Sequence, residues 1–181
     1  GQVIMLHIIY TKFFTVSVLY IYIYIYIYIY IYYNFPHFEN YQSAVSNALV
    51  VGGLVGQLTR IIVKKGSSVS VNTYCASFSL GSHLCGFIGK EYKLTGIIAL
   101  DPANWILEPS SEDGRLDKKD AEAVFVFHTN YDTVGVKKPI GDVDVYVNGG
   151  KTQKVECPME NYPGSKWFHI PCNHMYAYDL Y

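Results

Sequence analysis

Three residues far apart in the chain have the types needed for acyl transfer to a hydroxyl: Ser79, Asp101 and His174. A serine hydroxyl is a poor nucleophile near neutral pH. It needs an imidazole to take its proton and a buried carboxylate to hold that imidazole in the right tautomer. Ser79 stands in Tyr74-Cys75-Ala76-Ser77-Phe78-Ser79-Leu80-Gly81-Ser82-His83, where a β-branched stretch from Val69 gives way to small residues and then to apolar helix formers. A serine at a sharp strand-to-helix corner needs small residues two before and two after it, because the backbone doubles back there. Ser77 and Gly81 meet that need, although Ser77 departs from the usual Gly-x-Ser-x-Gly. Taken alone, the pattern also fits an ordinary strand-to-helix turn. Asp101, in Leu100-Asp101-Pro102-Ala103, likewise fits a turn aspartate before proline.

The surrounding pattern supplies elements that position these residues. From Phe38 onward apolar residues recur at spacings of three and four, through Tyr41, Ala44, Val45, Ala48, Leu49, Gly52, Val55, Leu58, Ile61 and Ile62. Lys64-Lys65 and then Gly66 suit a helix end. A strand over Val69 to Ala76, a helix over Leu80 to Gly89 and a strand over Leu94 to Leu100 follow, making one right-handed strand-helix-strand unit of a parallel sheet. Asp101 then falls at the carboxyl end of a strand, where open parallel sheets place ligands and catalytic groups. Val124 to His128 and Val143 to Val147 read as two further strands. His128 reads as a structural histidine after an apolar strand.

The chain order Ser, Asp, His is the one used by hydrolases of the α/β type, and several separate motifs carry a more specific resemblance. Beside the corner at Ser79 they are Gly96-Ile97-Ile98-Ala99-Leu100-Asp101-Pro102-Ala103, Arg115-Leu116-Asp117 with Asp120-Ala121, Val126-Phe127-His128-Thr129, Asn148-Gly149-Gly150, and Cys172-Asn173-His174. In order and spacing, from about Tyr41 to Tyr181, they resemble the pancreatic-lipase family of triglyceride lipases and phospholipases that remove the sn-1 acyl chain. The resemblance implies an α/β-hydrolase fold with a mainly parallel sheet, incomplete at its N-terminal side because the family's earlier strands are not recognised. It implies Ser79 as nucleophile, His174 as base and Asp101 as its orienting acid.

Further expectations rest on the same resemblance. Glu112 and Arg115 through main-chain oxygens, with Asp117 and Asp120 through carboxylates, match a calcium site of the family; hard oxygen ligands on a loop suit that ion. The residues by themselves equally suit a solvated loop that caps a helix near Asp117. Cys157 and Cys172 flank a segment with Pro158, Pro163, Gly164 and Pro171, and in the family cysteines here close the lid by a disulfide, implying an oxidising, extracellular compartment. This lid and the segment Asn130 to Ile140 are both short, as in the phospholipases. His169, inside the lid, reads as solvated or at the substrate's edge. The backbone amide of Leu80 would give one donor to the oxyanion. The family's second donor follows a His-Gly pair, and none of the six histidines here precedes a glycine.

Composition sets bounds on these readings. The 181 residues carry a formal net charge of −1, and basic residues cluster no further than Lys64-Lys65 and Lys137-Lys138, so no nucleic-acid partner is expected. Cys75 and Cys85 read as buried free thiols, with a second disulfide as the alternative. The segment 1–34 stands apart from 35–181. Val3 to Tyr33 is almost wholly apolar and exceeds the roughly 20 residues that cross a bilayer as a helix, which would make it a membrane anchor. Yet Tyr20 to Tyr32 alternates tyrosine and isoleucine without a break, the product of a two-base DNA repeat, and its β-propensity without charge, Gly or Pro marks an aggregation-prone string. The expected function is lipid ester hydrolysis, of phospholipid or triacylglycerol, weak in this chain for want of an oxyanion donor. The alternative is a non-catalytic lipid-binding relative resembling yolk proteins.

Overall fold

A computed structural model describes residues 2–4, 6–16, 19–28, 31–33, 38–65, 72–104, 111–153 and 172–180. Four strands form the parallel part of the sheet: β5 (Asn72–Phe78), β6 (Leu94–Leu100), β7 (Ala121–His128) and β8 (Val143–Tyr146). They lie side by side in chain order, all parallel. Helix α1 (Phe38–Lys65) precedes β5, and α2 (Leu80–Glu91) joins β5 to β6. These are the expected elements of an α/β-hydrolase sheet, with α1 spanning the predicted range and α2 running two residues further.

The core lies between the sheet and the two long helices. Ile97, Val124 and Val126 project from the strands onto Leu84, Cys85 and Ile88 of α2, all fully buried. Each buried aliphatic side chain of this size contributes roughly 1.5–3 kcal/mol relative to exposure. On the opposite face α3 (Cys172–Asp179) brings Ala177 and Met175 against Phe78, Leu100, Ile98 and Phe127. Both faces of the strands are therefore apolar, as parallel sheets require.

The long apolar segment at the start does not form a helix. It forms β1 (Gln2–Ile4), β2 (Leu6–Val16), β3 (Leu19–Tyr28) and β4 (Ile31–Tyr33). β1 and β4 pair with each other, while β2 and β3 make an antiparallel hairpin whose β2 runs antiparallel to β5, with Leu6 opposite Ser77. Alternating tyrosine and isoleucine suits extended, paired backbone, and that preference outweighs the hydropathy that pointed to a membrane helix. Among the described residues, the helix long and apolar enough to cross a bilayer is α1, over Gln42–Lys64.

One face of α1 is packed and the other is open. Ala44, Ala48, Gly52 and Gly56 are buried, whereas Leu49, Val50, Leu54, Leu58 and Ile61 are exposed. A Cβ at Gly52 would meet Phe87 Cβ at 2.5 Å and Leu84 O at 3.1 Å, while at Gly53 nothing lies within 4 Å. The two adjacent glycines should answer substitution with opposite sign. Gly52→Val is expected to destabilise by about 1–3 kcal/mol through overpacking. Gly53→Ala is expected to stabilise by about 0.5–1 kcal/mol through helix propensity. Denaturant midpoints of both variants against the parent measure this.

Candidate active site

The ends of β5 and β6 deliver the first two residues in the same way. Phe78 pairs with Leu100, and Leu100 with Phe127, so the residues just beyond each strand stand side by side. Ser79 N–H donates to Leu100 O at 2.9 Å, and Asp101 N–H to Phe127 O at 2.7 Å. Both residues leave their strands at positive φ, 57° for Ser79 and 41° for Asp101. For residues other than glycine this conformation costs on the order of 1–3 kcal/mol and persists only where the surroundings enforce it. The corner at Ser79 is therefore no ordinary turn.

His174 arrives from the other face of the sheet on α3. Its Nδ1–H donates to Asp101 Oδ2 at 2.6 Å, and its Nε2 accepts from Ser79 Oγ at 2.9 Å. Asp101 and His174 are buried, while Ser79 remains partly exposed. The ring of His174 also lies 4.5 Å from that of Phe78, centroid to centroid. Asp101 Oδ1 accepts from the backbone N–H groups of Thr129 at 2.9 Å and Asn130 at 3.1 Å. With three donors on its two oxygens, the carboxylate has one orientation. Gly135 sits against it so closely that a Cβ there would fall 2.5 Å from Asp101 Oδ1. All three residues predicted from the sequence are thus brought into one hydrogen-bonded chain.

With this geometry in hand, comparison with known proteins is specific. The profile of the family described as Lipase matches residues 29–181. The chain belongs to the lipase family. Lipase member H of Mus musculus is 35% identical over 143 residues, which cover 78% of this chain and 31% of that protein. Phospholipase A1 member A of Bos taurus is 36% identical over 143 residues, covering 78% and 30%. Lipase member H-A of Xenopus laevis is 34% identical over 143 residues, with the same coverage. The lipase-family chain described here spans just under a third of the length of these relatives.

The cysteines correct one expectation. Cys75 and Cys85 are joined in a disulfide, with Cα atoms 5.8 Å apart, in place of the free thiols expected. The sharp corner at Ser79 folds α2 back along β5, so residues ten apart in sequence meet at bonding distance. Cys172 is also disulfide-bonded; Cys157, its expected partner, and His169 lie outside the described residues. His128 is buried, with Nδ1 2.9 Å from Val136 O and Nε2 2.7 Å from Asp144 Oδ1, and stacks on Tyr146.

The residues expected to hold calcium form a capped turn. Asp117 Oδ1 accepts from Lys119 N at 3.0 Å, and Asp120 Oδ2 from Asp117 N at 2.8 Å, a reciprocal capping box over Lys118–Asp120. Lys90 Nζ lies 2.7 and 2.9 Å from the two Asp120 oxygens, and Lys119 pairs with Glu112. Burial pushes the Asp120 carboxyl up, against the pull of Lys90. Among the described residues no three His, Cys, Asp or Glu side chains group as a metal site. In this arrangement the Asp120 carboxylate bears the Lys90 ammonium.

His83 is a buried residue that sequence reasoning passed over, although it lies one helical turn after Ser79. Its Nε2–H donates to Ala103 O at 2.8 Å, and its Nδ1 accepts from Leu116 N–H at 3.1 Å. It ties α2 to the segment after Asp101. Burial lowers its pKa to about 4; the Ala103 bond opposes this, and Arg115 and Lys90 add to it. The fold thus holds the neutral ring, while the unfolded chain protonates near 6.5. Its contribution is complete above about pH 6.5 and is lost as pH falls towards 4, by about 3 kcal/mol. Denaturation of wild type and His83→Gln between pH 7 and pH 4 should show this loss in wild type only.

Proposed function

We propose that the chain carries the acyl-transfer centre of a lipid ester hydrolase. Ser79 Oγ attacks the ester carbonyl while His174 Nε2 takes its proton. Asp101 holds the His174 tautomer with Nδ1–H and balances the imidazolium that forms. His174 then returns the proton to the leaving alcohol, and water repeats the sequence to free the acyl group. The observation that carries this reading is the continuous line from Ser79 Oγ through His174 to Asp101, at 2.9 and 2.6 Å, with Ser79 held at the strained corner.

The substrate class follows from the relatives, whose names are lipase and phospholipase A1. The short segment between His128 and β8 favours a phospholipid or another polar-headed ester over triacylglycerol. The disulfides are consistent with an extracellular setting. The non-catalytic, yolk-protein-like reading is disfavoured because all three triad residues are present and aligned. The backbone N–H of Leu80 supplies one oxyanion donor. The neighbour of β5 on its other side is antiparallel β2, whereas a loop leaving a parallel neighbour would carry the second donor at this edge. Losing one of the two donors costs roughly a hundred- to a thousandfold in rate, so ester turnover is expected to be slow wherever the Leu80 N–H acts alone.

A fluorophosphonate tests the nucleophile directly, because it needs only one chemical step. Wild type should be labelled and Ser79→Ala should not. Asp101→Asn should slow labelling by about 10⁴-fold, the loss expected when the histidine takes the wrong tautomer. Equal labelling of wild type and Ser79→Ala would refute the assignment.

A further inference from the structure

Gln153 joins the two halves of this centre through atoms that lie far from it in sequence. Its side-chain Nε2 donates to Thr129 O at 2.8 Å and to Val147 O at 3.0 Å, and its Oε1 accepts from Asn148 Nδ2 at 2.9 Å. Its backbone N–H donates to Asn173 Oδ1 at 2.8 Å. The Thr129 carbonyl belongs to the same peptide unit as the Asn130 N–H that grips Asp101 Oδ1. Asn173 directly precedes His174. One residue, 5% exposed, therefore holds the peptide that orients the carboxylate and the first turn of the helix that carries the imidazole.

We infer that Gln153 is a positioning residue for the Asp101–His174 pair, acting through the 129–130 peptide on one side and through Asn173 on the other. Three observations carry this. The two N–H groups on Asp101 Oδ1 come from adjacent residues, so a small rotation of the peptide between them misdirects one of them. Thr129 Oγ1 is buried without a hydrogen-bond partner among the described residues, so the Thr129 side chain does not fix the turn. A donor on a peptide oxygen also polarises that peptide and strengthens its N–H as a donor. Gln153 thus both aims and reinforces a bond to the carboxylate, while its own backbone sets where α3 begins. The neutral amide suits the task, since its one NH₂ group serves two carbonyls and its oxygen serves Asn148.

This inference deepens the acyl-transfer reading and rests on it, so its test combines a chemical with a non-chemical readout. Gln153→Met removes the donors without adding charge. Gln153→Glu keeps the length and the acceptor for Asn148 but turns the donor into an acceptor facing two carbonyls; it carries the measurement if the methionine variant does not fold. The full-length chain is followed by the rate of fluorophosphonate labelling of the folded fraction, by the downfield proton resonance of His174 Nδ1–H, and by hydrogen exchange of the Asn130 amide. Labelling is expected to slow roughly 10–100-fold, the scale of small misplacements in a site. The His174 resonance should shift or broaden and the Asn130 amide should lose protection, with the overall circular dichroism retained. A variant that is less stable but keeps the wild-type labelling rate, His174 resonance and Asn130 protection would overturn the inference. If wild type itself is not labelled at Ser79, the acyl-transfer reading fails, and the two magnetic-resonance readouts alone decide the role of Gln153: movement of both supports it and no change refutes it.

Discussion

The parallel register of β5, β6 and β7 is the constraint on which the centre depends. Pairing Phe78 with Leu100 and Leu100 with Phe127 places residues 79, 101 and 128 in a row along one edge of the sheet. A shift of one residue between neighbours would turn every side chain to the opposite face. The core residues Ile97 and Val126 would then exchange places with Ile98 and Phe127, so apolar burial on the helical side enforces the register. The alignment of Ser79 with Asp101 is a by-product of packing that lies well below them.

On this frame the centre is fixed by opposition. Two residues are held in a backbone conformation they would not choose, and each is anchored by a main-chain bond to the neighbouring strand. Asp101 is surrounded on three sides, by two amides, by an imidazole and by the backbone of Gly135. Such crowding removes the freedom of the carboxylate before any substrate arrives, which is where preorganised sites gain over solution chemistry. His174 has the longer reach to make, since its helix lies on the far face and contacts the sheet through Ala177 and Met175.

The sequence made the four parallel strands, both long helices and the three candidate site residues readable, because each is announced locally: by periodicity, by small residues around a corner, or by an acid at a strand end. What escaped depended on approach through space. The Cys75–Cys85 bond arises because a turn folds two neighbours back to back. Lys90 meets Asp120 because Gly86 and Gly89 let α2 press on the segment 116–120, an approach that no local pattern announces. Gln153 gave no signal because its contacts to the site, the Thr129 carbonyl and the Asn173 side chain, lie 24 and 20 residues away. The first 33 residues carried two opposed signals. Hydropathy reports how apolar a segment is and says nothing of whether its backbone prefers to coil or to extend, and alternating β-branched and aromatic residues prefer to extend.

The disulfide between β5 and α2 bears on how the molecule is assembled. Its two cysteines are 1% and 0% exposed, sealed beneath the layer formed by α1 and α2, so an oxidant cannot reach them once the domain has closed. The bond closes a short loop around Ser79, with a sequence separation of only 10, and short loops form quickly in an otherwise open chain. Oxidation therefore belongs to biosynthesis, before the helices close over the two thiols. A chain translated where thiols stay reduced would have to hold the corner at Ser79 without this covalent tie.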